Sequence, residues 1–421
     1  MPRRVVPLGQ QIHAVLLDSG HEAAQQHAAG LGQPDLFDRV QAVALEEPVP
    51  NFLHSALCAM SLPVRRPTDE TMPIIRKDGQ YTLAITPRPV LRLVGGQQSM
   101  AVLGVPYGSL PRLVLIHIMT EAVRTRSRHI VLGSSFTDWM RRMGFRTVSY
   151  GPRGSATLIR QQLDRLLACE WMIRWDNQTP QGEQEFAVKE VKLSNDYAGT
   201  TGSRGSFSRE ILLTEGFFEH LREHAVPLDE NAIRQLRDSA TALDLYTWLA
   251  YRLPRISRDR PALLSWAQVA VHFGNDGNNI RKFRQTIRDA WDRQVSAVYP
   301  DAKIELDTSG VRLYSSPAPL LRRPIRLASV TALTVPVPRV TPQPGADVFL
   351  SAFRAALGET LARAWLSDAT AEMTENGLVL FVGLRFKVDY IRQNFGAELE
   401  RVAKACGLPA VPTIRMRSQT V

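Results

Sequence analysis

An α+β protein of several domains is what this sequence predicts, and three observations carry the prediction. Its 421 residues exceed what one hydrophobic core usually organises. Helix and strand periodicities recur along residues 110–314 in one repeated order: long apolar helix, short strand, two shorter helices, hairpin. A stretch at 316–345 with seven prolines and no acidic residue then sets apart residues 346–421, which have helix and strand patterns of their own.

Taken in order, residues 1–50 mix Gly, Pro, Gln and His with weak periodicity and are expected as a loosely ordered N-terminal arm. Short apolar runs between 51 and 108 read as strands or turns leading into a first unit, 51–196. There, 110–125 is a helix, 129–133 a strand, and Ser134/Ser135 cap a helix stopping at Gly144. Ser155 is expected to cap a helix over 156–169, with Leu158, Ile159, Leu163, Leu166 and Leu167 inward and Thr157, Arg160, Gln161, Asp164 and Arg165 outward. Strands at 171–175 and 185–193 complete the unit as a hairpin.

The second unit, 197–315, repeats the order with helices at 240–253 and 264–273. Asn275–Asn279 breaks the chain before a basic helix over 280–299, with Ile280, Phe283, Ile287, Trp291 and Val295 as its buried stripe. Strands at 303–306 and 311–314 turn through Asp307-Thr308-Ser309-Gly310. A basic helix followed by a hairpin with a polar tip, present twice in outline, is the order of tandem winged-helix domains.

Charge points to a class of partner. The formal net charge of +10 favours an anionic ligand, and nucleic acid fits better than membrane. On the basic helix, Arg281, Arg284, Gln285 and Arg288 have the side chains that reach guanine edges and phosphates, with Lys282 and Arg293 as peripheral phosphate neutralisers. In the first unit Arg160, Gln161 and Arg165 are the corresponding residues, in a domain that could dimerise instead. An ordinary amphipathic helix with a solvated basic face is the competing reading.

Signals for catalysis or cofactors are missing. No phosphate-loop pattern occurs, Gly199–Ser206 lacks its lysine, and Cys58, Cys169 and Cys406 are too far apart for a Cys-based zinc site. His220 and His224, one helical turn apart, read as surface residues rather than metal ligands. No run approaches 18 apolar residues and the start lacks a signal-peptide core, so a soluble cytoplasmic protein with no membrane contact, no cofactor and no enzymatic activity is expected.

Residues 107–145 (YGSLPRLVLIHIMTEAVRTRSRHIVLGSSFTDWMRRMGF) and 247–276 (TWLAYRLPRISRDRPALLSWAQVAVHFGND), continuing through 314, resemble plasmid-encoded RepA-type replication initiators. The resemblance implies binding to repeated sequences at a plasmid origin, repression of the protein's own transcription, and a link to host DnaA. A repressor or partition-type DNA binder without a recruiting role is the alternative. Trp365-Leu366 with 377–395 resembles the N-terminal domain of DnaA, implying a small KH-like α+β domain that binds the replicative helicase DnaB through Trp365 and Phe386, or self-associates as a homodimer. This stretch departs from that family at Gly383-Leu384-Arg385, where a Pro-Asn pair is usual. Finally, Gln33-Pro34-Asp35-Leu36-Phe37 is similar to the peptides that dock on the DNA polymerase sliding clamp, with Leu36 and Phe37 as apolar anchors and Gln33 and Asp35 beside them.

Overall fold

The computed structural model describes residues 6–325 apart from 80, 95–96, 133–134, 146, 179–183, 203–204 and 275–278, and residues 345–416 apart from 359–361, 363–364, 367–368, 375–376, 383–387, 389–390, 393–394 and 409. It is a mixed α+β architecture with several small sheets.

The N-terminal segment is not a loose arm. It forms α1 (Leu8–Gly30), broken at Gly20 where φ is 83°, and α2 (Pro34–Ala44). Ile12, Leu16, Ala24, Ala28, Leu36, Phe37, Val40 and Ala44 close around Ala297 in a small core of their own. The approach is close because Gly9 has no side chain: a Cβ there would sit 2.3 Å from the Ala297 nitrogen. The Gly9 amide donates to Ser296 Oγ at 3.1 Å, and the buried His13 ring bonds the Ala297 carbonyl at 2.8 Å.

Burial holds His13 down to about 4, outweighing that carbonyl bond. Unfolding restores a value near 6.5. The stability contributed by neutral His13 is therefore complete above about pH 6.5 and is lost as pH falls towards 4, by roughly 1.4 kcal/mol per unit. Urea midpoints followed from pH 7 to 4.5 should fall more steeply for the native chain than for His13→Gln. His117 is also held at about 4 by burial, so only the difference between the two proteins isolates His13.

After β1 (Pro50–His54) and α3 (Ser55–Ala59) come β2 (Ile74–Asp78), β3 (Tyr81–Pro87) and the hairpin β4 (Pro89–Val94) and β5 (Gln97–Val102). The first unit continues with α4 (Ser109–Thr125), β6 (His129–Val131), α5 (Phe136–Arg142) and α6 (Ser155–Ala168). Then follow β7 (Cys169–Gln178), β8 (Gln184–Lys192), β9 (Ser194–Gly202), β10 (Gly205–Leu213), α7 (Glu215–His224), β11 (Ala225–Asp229) and α8 (Glu230–Leu236).

Local signals placed these elements well, with Ser135 capping α5 through the Asp138 amide as expected. Ser155 does not cap α6. Gly154 holds that position, and the Ser155 hydroxyl turns back to the Ser149 amide at 3.2 Å. Leu158, expected inward, is 40% exposed.

Strand pairing departs further from the expectation. β7 and β8 do pair, but inside a four-stranded sheet ordered β2-β3-β7-β8. The short strand β6 pairs instead with β10, in a sheet ordered β6-β10-β9. A domain boundary at 196/197 would cut through β9, so it is withdrawn. The separation of 51–196 from 197–315 fails for a second reason: β1 pairs residue by residue with β11, from Pro50–Asp229 to His54–Ala225.

The second unit comprises α9 (Ala240–Arg252), β12 (Ala262–Ser265), α10 (Trp266–His272), α11 (Ile280–Ala290), one π turn at Trp291–Val295, α12 (Ser296–Val298), β13 (Ile304–Leu306) and β14 (Gly310–Leu313). Its sheet is ordered β12-β14-β13. Gly310 is where the strands meet most closely, since a Cβ would lie 2.0 Å from the Leu264 carbonyl oxygen. α4 and α9, the long helices of the two units, are joined by buried Arg112 and Asp244, both guanidinium–carboxylate bonds being 2.6 Å.

The proline-rich segment begins later than 316. Leu320 is fully buried, Arg322 donates through Nε and Nη2 to the single oxygen Oδ2 of buried Asp229 at 2.9 and 2.7 Å, and the Ile325 amide bonds the Ala44 carbonyl at 2.6 Å. Residues 316–325 thus strap the body. Beyond the strap, α13 (Ala346–Leu357), β15 (Thr370–Thr374), β16 (Gly377–Val382), α14 (Gly396–Ala405) and β17 (Thr413–Met416) form the last unit, with β16 antiparallel to β15 and parallel to β17.

Candidate nucleic-acid interface

α11 owes its position to its apolar side. Asn279 caps it by accepting from the Lys282 amide at 2.9 Å, and Phe283, Ile287, Trp291 and Val295 are buried beneath. Ile280, expected in that stripe, is 37% exposed at the first turn. The outer side of α11 carries Arg281, Lys282 and Gln285, all exposed to solvent. Gln285 donates to Asp289 at 2.9 Å, which holds its amide on the outer side.

Arg284 and Arg288 sit lower. Both are half-buried, and their guanidinium carbons lie 5.8 and 5.9 Å from the centre of the Trp266 ring. Trp266 opens α10 behind a Ser265–Gln268 capping box and is itself buried. Its indole N–H donates to the Asp307 carbonyl at 3.0 Å, and Arg288 Nη2 donates to the same oxygen at 2.9 Å.

Asp307 starts the turn between β13 and β14. Its carboxylate accepts from the Ser309 hydroxyl at 2.6 Å and from the Ser309 and Gly310 amides at 2.7 and 2.9 Å. The Ser309 hydroxyl, then those amides, hold the Asp307 carboxyl below its ordinary value. One buried tryptophan therefore ties the basic helix to the hairpin turn. The sequence named the arginines and missed Trp266; its signal was the Ser-x-x-Gln capping box immediately ahead of it and around it.

Trp266→Phe keeps a ring in place but removes the donor to Asp307. Duplex affinity should fall roughly 2–10-fold, the factor that one neutral hydrogen bond of about 0.5–1.5 kcal/mol represents. Fluorescence anisotropy on labelled duplex measures it, and unchanged binding would remove the positioning role.

The remaining predicted residues do not converge on this face. Arg293 lies within the π turn and lines a groove with Gln33, Asp35, Leu36 and Arg39, away from the outer side of α11. In the first unit Gln161 is exposed, while Arg160 lies 4.7 Å from the centre of the Phe136 ring. Arg165 is engaged: it bonds Glu70 at 2.7 Å and the Val105 carbonyl at 3.0 Å. Hydrogen bonds from Arg66 and Arg165 pull Glu70 down to about 2. Arg165 is thus a structural cation and is withdrawn from the interface.

The other two binding expectations meet burial. Leu36 and Phe37 are 2% and 3% exposed, with Phe37 edge-on to His21 at 4.9 Å, so the Gln33–Phe37 segment is helix and core rather than an offered peptide. Gln33 and Asp35 line the groove next to Arg293. Trp365 is fully buried, against Phe395 and Phe52 at 6.3 and 6.2 Å, and belongs to the core rather than to a contact surface. Phe386 and the Gly383–Arg385 departure lie outside the described residues.

His220 is not a plain surface residue: its Nδ1 lies 2.8 Å from Nε2 of buried His54. No cluster of His, Cys, Asp and Glu fit for a metal ion occurs among the described residues, and no helix among them is long and apolar enough to cross a membrane.

Residues 105–268, 164 of the 421, match the family model described as plasmid encoded RepA protein. The match runs from just before α4 into α10 and stops short of α11. Among solved structures, a crystal structure of domains 2 and 3 of RctB aligns over 62% of this chain and 98% of that one, at 11% identity and a TM-score of 0.37, too loose to carry an argument. No curated protein matches the chain.

Proposed function

We propose, from the match of residues 105–268 to the family model described as plasmid encoded RepA protein, that this chain is a replication initiator that binds duplex DNA at a plasmid origin. The observation that carries the reading is α11. It is a basic helix with Arg281, Lys282 and Gln285 outward, fastened through Trp266 to the turn of the hairpin behind it. In this reading α9, β12, α10, α11 and the β13–β14 hairpin act as a winged helix, with α11 in the major groove and the 307–310 turn at the backbone. α4, β6, α5, α6 and the β9–β10 hairpin act as the first winged helix, which binds a second segment of DNA or a second copy of the chain.

The protein has no catalytic step of its own. Recruitment of the replicative helicase is assigned to the C-terminal unit, through surface residues other than the buried Trp365. Host DnaA acts beside it at the origin. Footprinting on the DNA that flanks the gene tests the core of the proposal. Protection of repeated sequences there is the expected result; absence of any protected repeat would sink it.

A further inference from the structure

The β4–β5 hairpin stands apart from every other sheet. Among the described strands each of its two pairs only with the other, Pro89 facing Val102 and Leu91 facing Met100. A lone two-stranded ribbon is marginal in water, and this one shows solvent its apolar face: Leu91 is 61% exposed, Met100 64% and Val102 45%. Gln97, Gln98 and Ser99 are exposed as well, and Arg92 stands opposite Ser99 in the register. No acidic residue occurs between Asp78 and Glu121, the stretch that contains the whole hairpin.

These features select the occupant. Two apolar cross-strand pairs on a ribbon six residues long cover far less than the roughly 800 Å² per partner that a stable protein interface buries. The lack of carboxylates and the two exposed glutamines complement a polyanion. Proteins that enter the minor groove read it with Arg and Gln and press Leu, Met or Pro against the base steps.

We propose that the β4–β5 hairpin is a second DNA contact, an arm that lies in the minor groove beside the bases read by α11. Gln98, on the same face as Leu91 and Met100, donates to the adenine N3 and thymine O2 acceptors on the groove floor, Gln97 faces the opposite wall, and Leu91 and Met100 press on the base steps and bend the duplex. The inference rests on the DNA-binding reading above.

The test uses the full chain with a fluorescent A·T-rich 40-base-pair duplex, anisotropy for affinity, end-to-end energy transfer for bending, and light scattering for mass. Gln97→Glu with Gln98→Glu should weaken binding on the order of 10-fold, since it places two carboxylates against the phosphates. Leu91→Ser with Met100→Ser alters only exposed side chains, so the fold persists; it should lower both affinity and bend angle at unchanged mass. Native binding with both arm variants equally tight overturns the arm and leaves the initiator reading in place. A fall in mass for the Leu91/Met100 variant at unchanged affinity overturns it too, making the hairpin a contact between copies. Failure of the native chain to bind any duplex overturns the arm and the DNA-binding reading together.

Discussion

Replacing Arg281 and Gln285 together by alanine should lower duplex affinity on the order of 100-fold, because each well-made contact to a base edge is worth about 1–3 kcal/mol. Both side chains are exposed on α11 and neither belongs to its buried stripe. Unfolding midpoints should therefore stay within the roughly 0.5 kcal/mol typical of surface substitutions. Arg284→Ala and Arg288→Ala will behave differently. Those guanidiniums cover Trp266, and Arg288 also holds the Asp307 carbonyl, so both variants should lose stability along with affinity. Measuring affinity and urea midpoints on the same four proteins separates reading from positioning. Equal affinity of the Arg281/Gln285 double variant and the native chain would remove α11 as the reading element.

Arg112→Ala should be strongly destabilising. It leaves Asp244 buried without its cation, and removing one member of a buried pair typically costs about 3–5 kcal/mol. The Leu62, Pro63 and Gly108 carbonyls lose a donor at the same time. A paired control sharpens the test. Arg112→Met with Asp244→Leu fills the space with apolar atoms and should recover most of the loss, since a buried ion pair and a well-packed apolar pair are often close in stability. The consequence extends to binding, because the pair joins the long helices of both units. Arg112→Ala should reduce affinity for two adjacent sites more than for one. Thermal unfolding indistinguishable from the native chain would refute the lock.

Much of the second unit was legible from local pattern alone. The stripe Phe283, Ile287, Trp291 and Val295 places α11 without reference to anything distant, and Asp307-Thr308-Ser309-Gly310 is a turn by its own chemistry. What could not be read was set by partners far along the chain. β6 finds β10 some eighty residues later, a partner that no local pattern names, while the hairpin at 171–193 forms as expected but within a sheet that also takes in β3 and β2. Helix α1 lacks a continuous stripe because Gly20 breaks it, and the core it forms with α2 is completed only at Ala297. Side-chain identity was equally insufficient for the site. Arg165, Leu36, Phe37 and Trp365 have the right chemistry for binding, and tertiary burial or pairing takes each of them out of reach.

The seat of the first helix pair lies 287 residues downstream of Gly9, at Ser296. A ribosome adding roughly 5–20 residues per second needs about 14–57 s to produce that seat. For that interval α1 and α2 have each other but lack the Ser296–Ala297 seat, and the core around Leu16, Leu36 and Phe37 stays unfinished. Completion of α11 and its π turn is therefore also the event that supplies the seat for α1 and α2, so that finished molecules and nascent ones offer different surfaces to the cell.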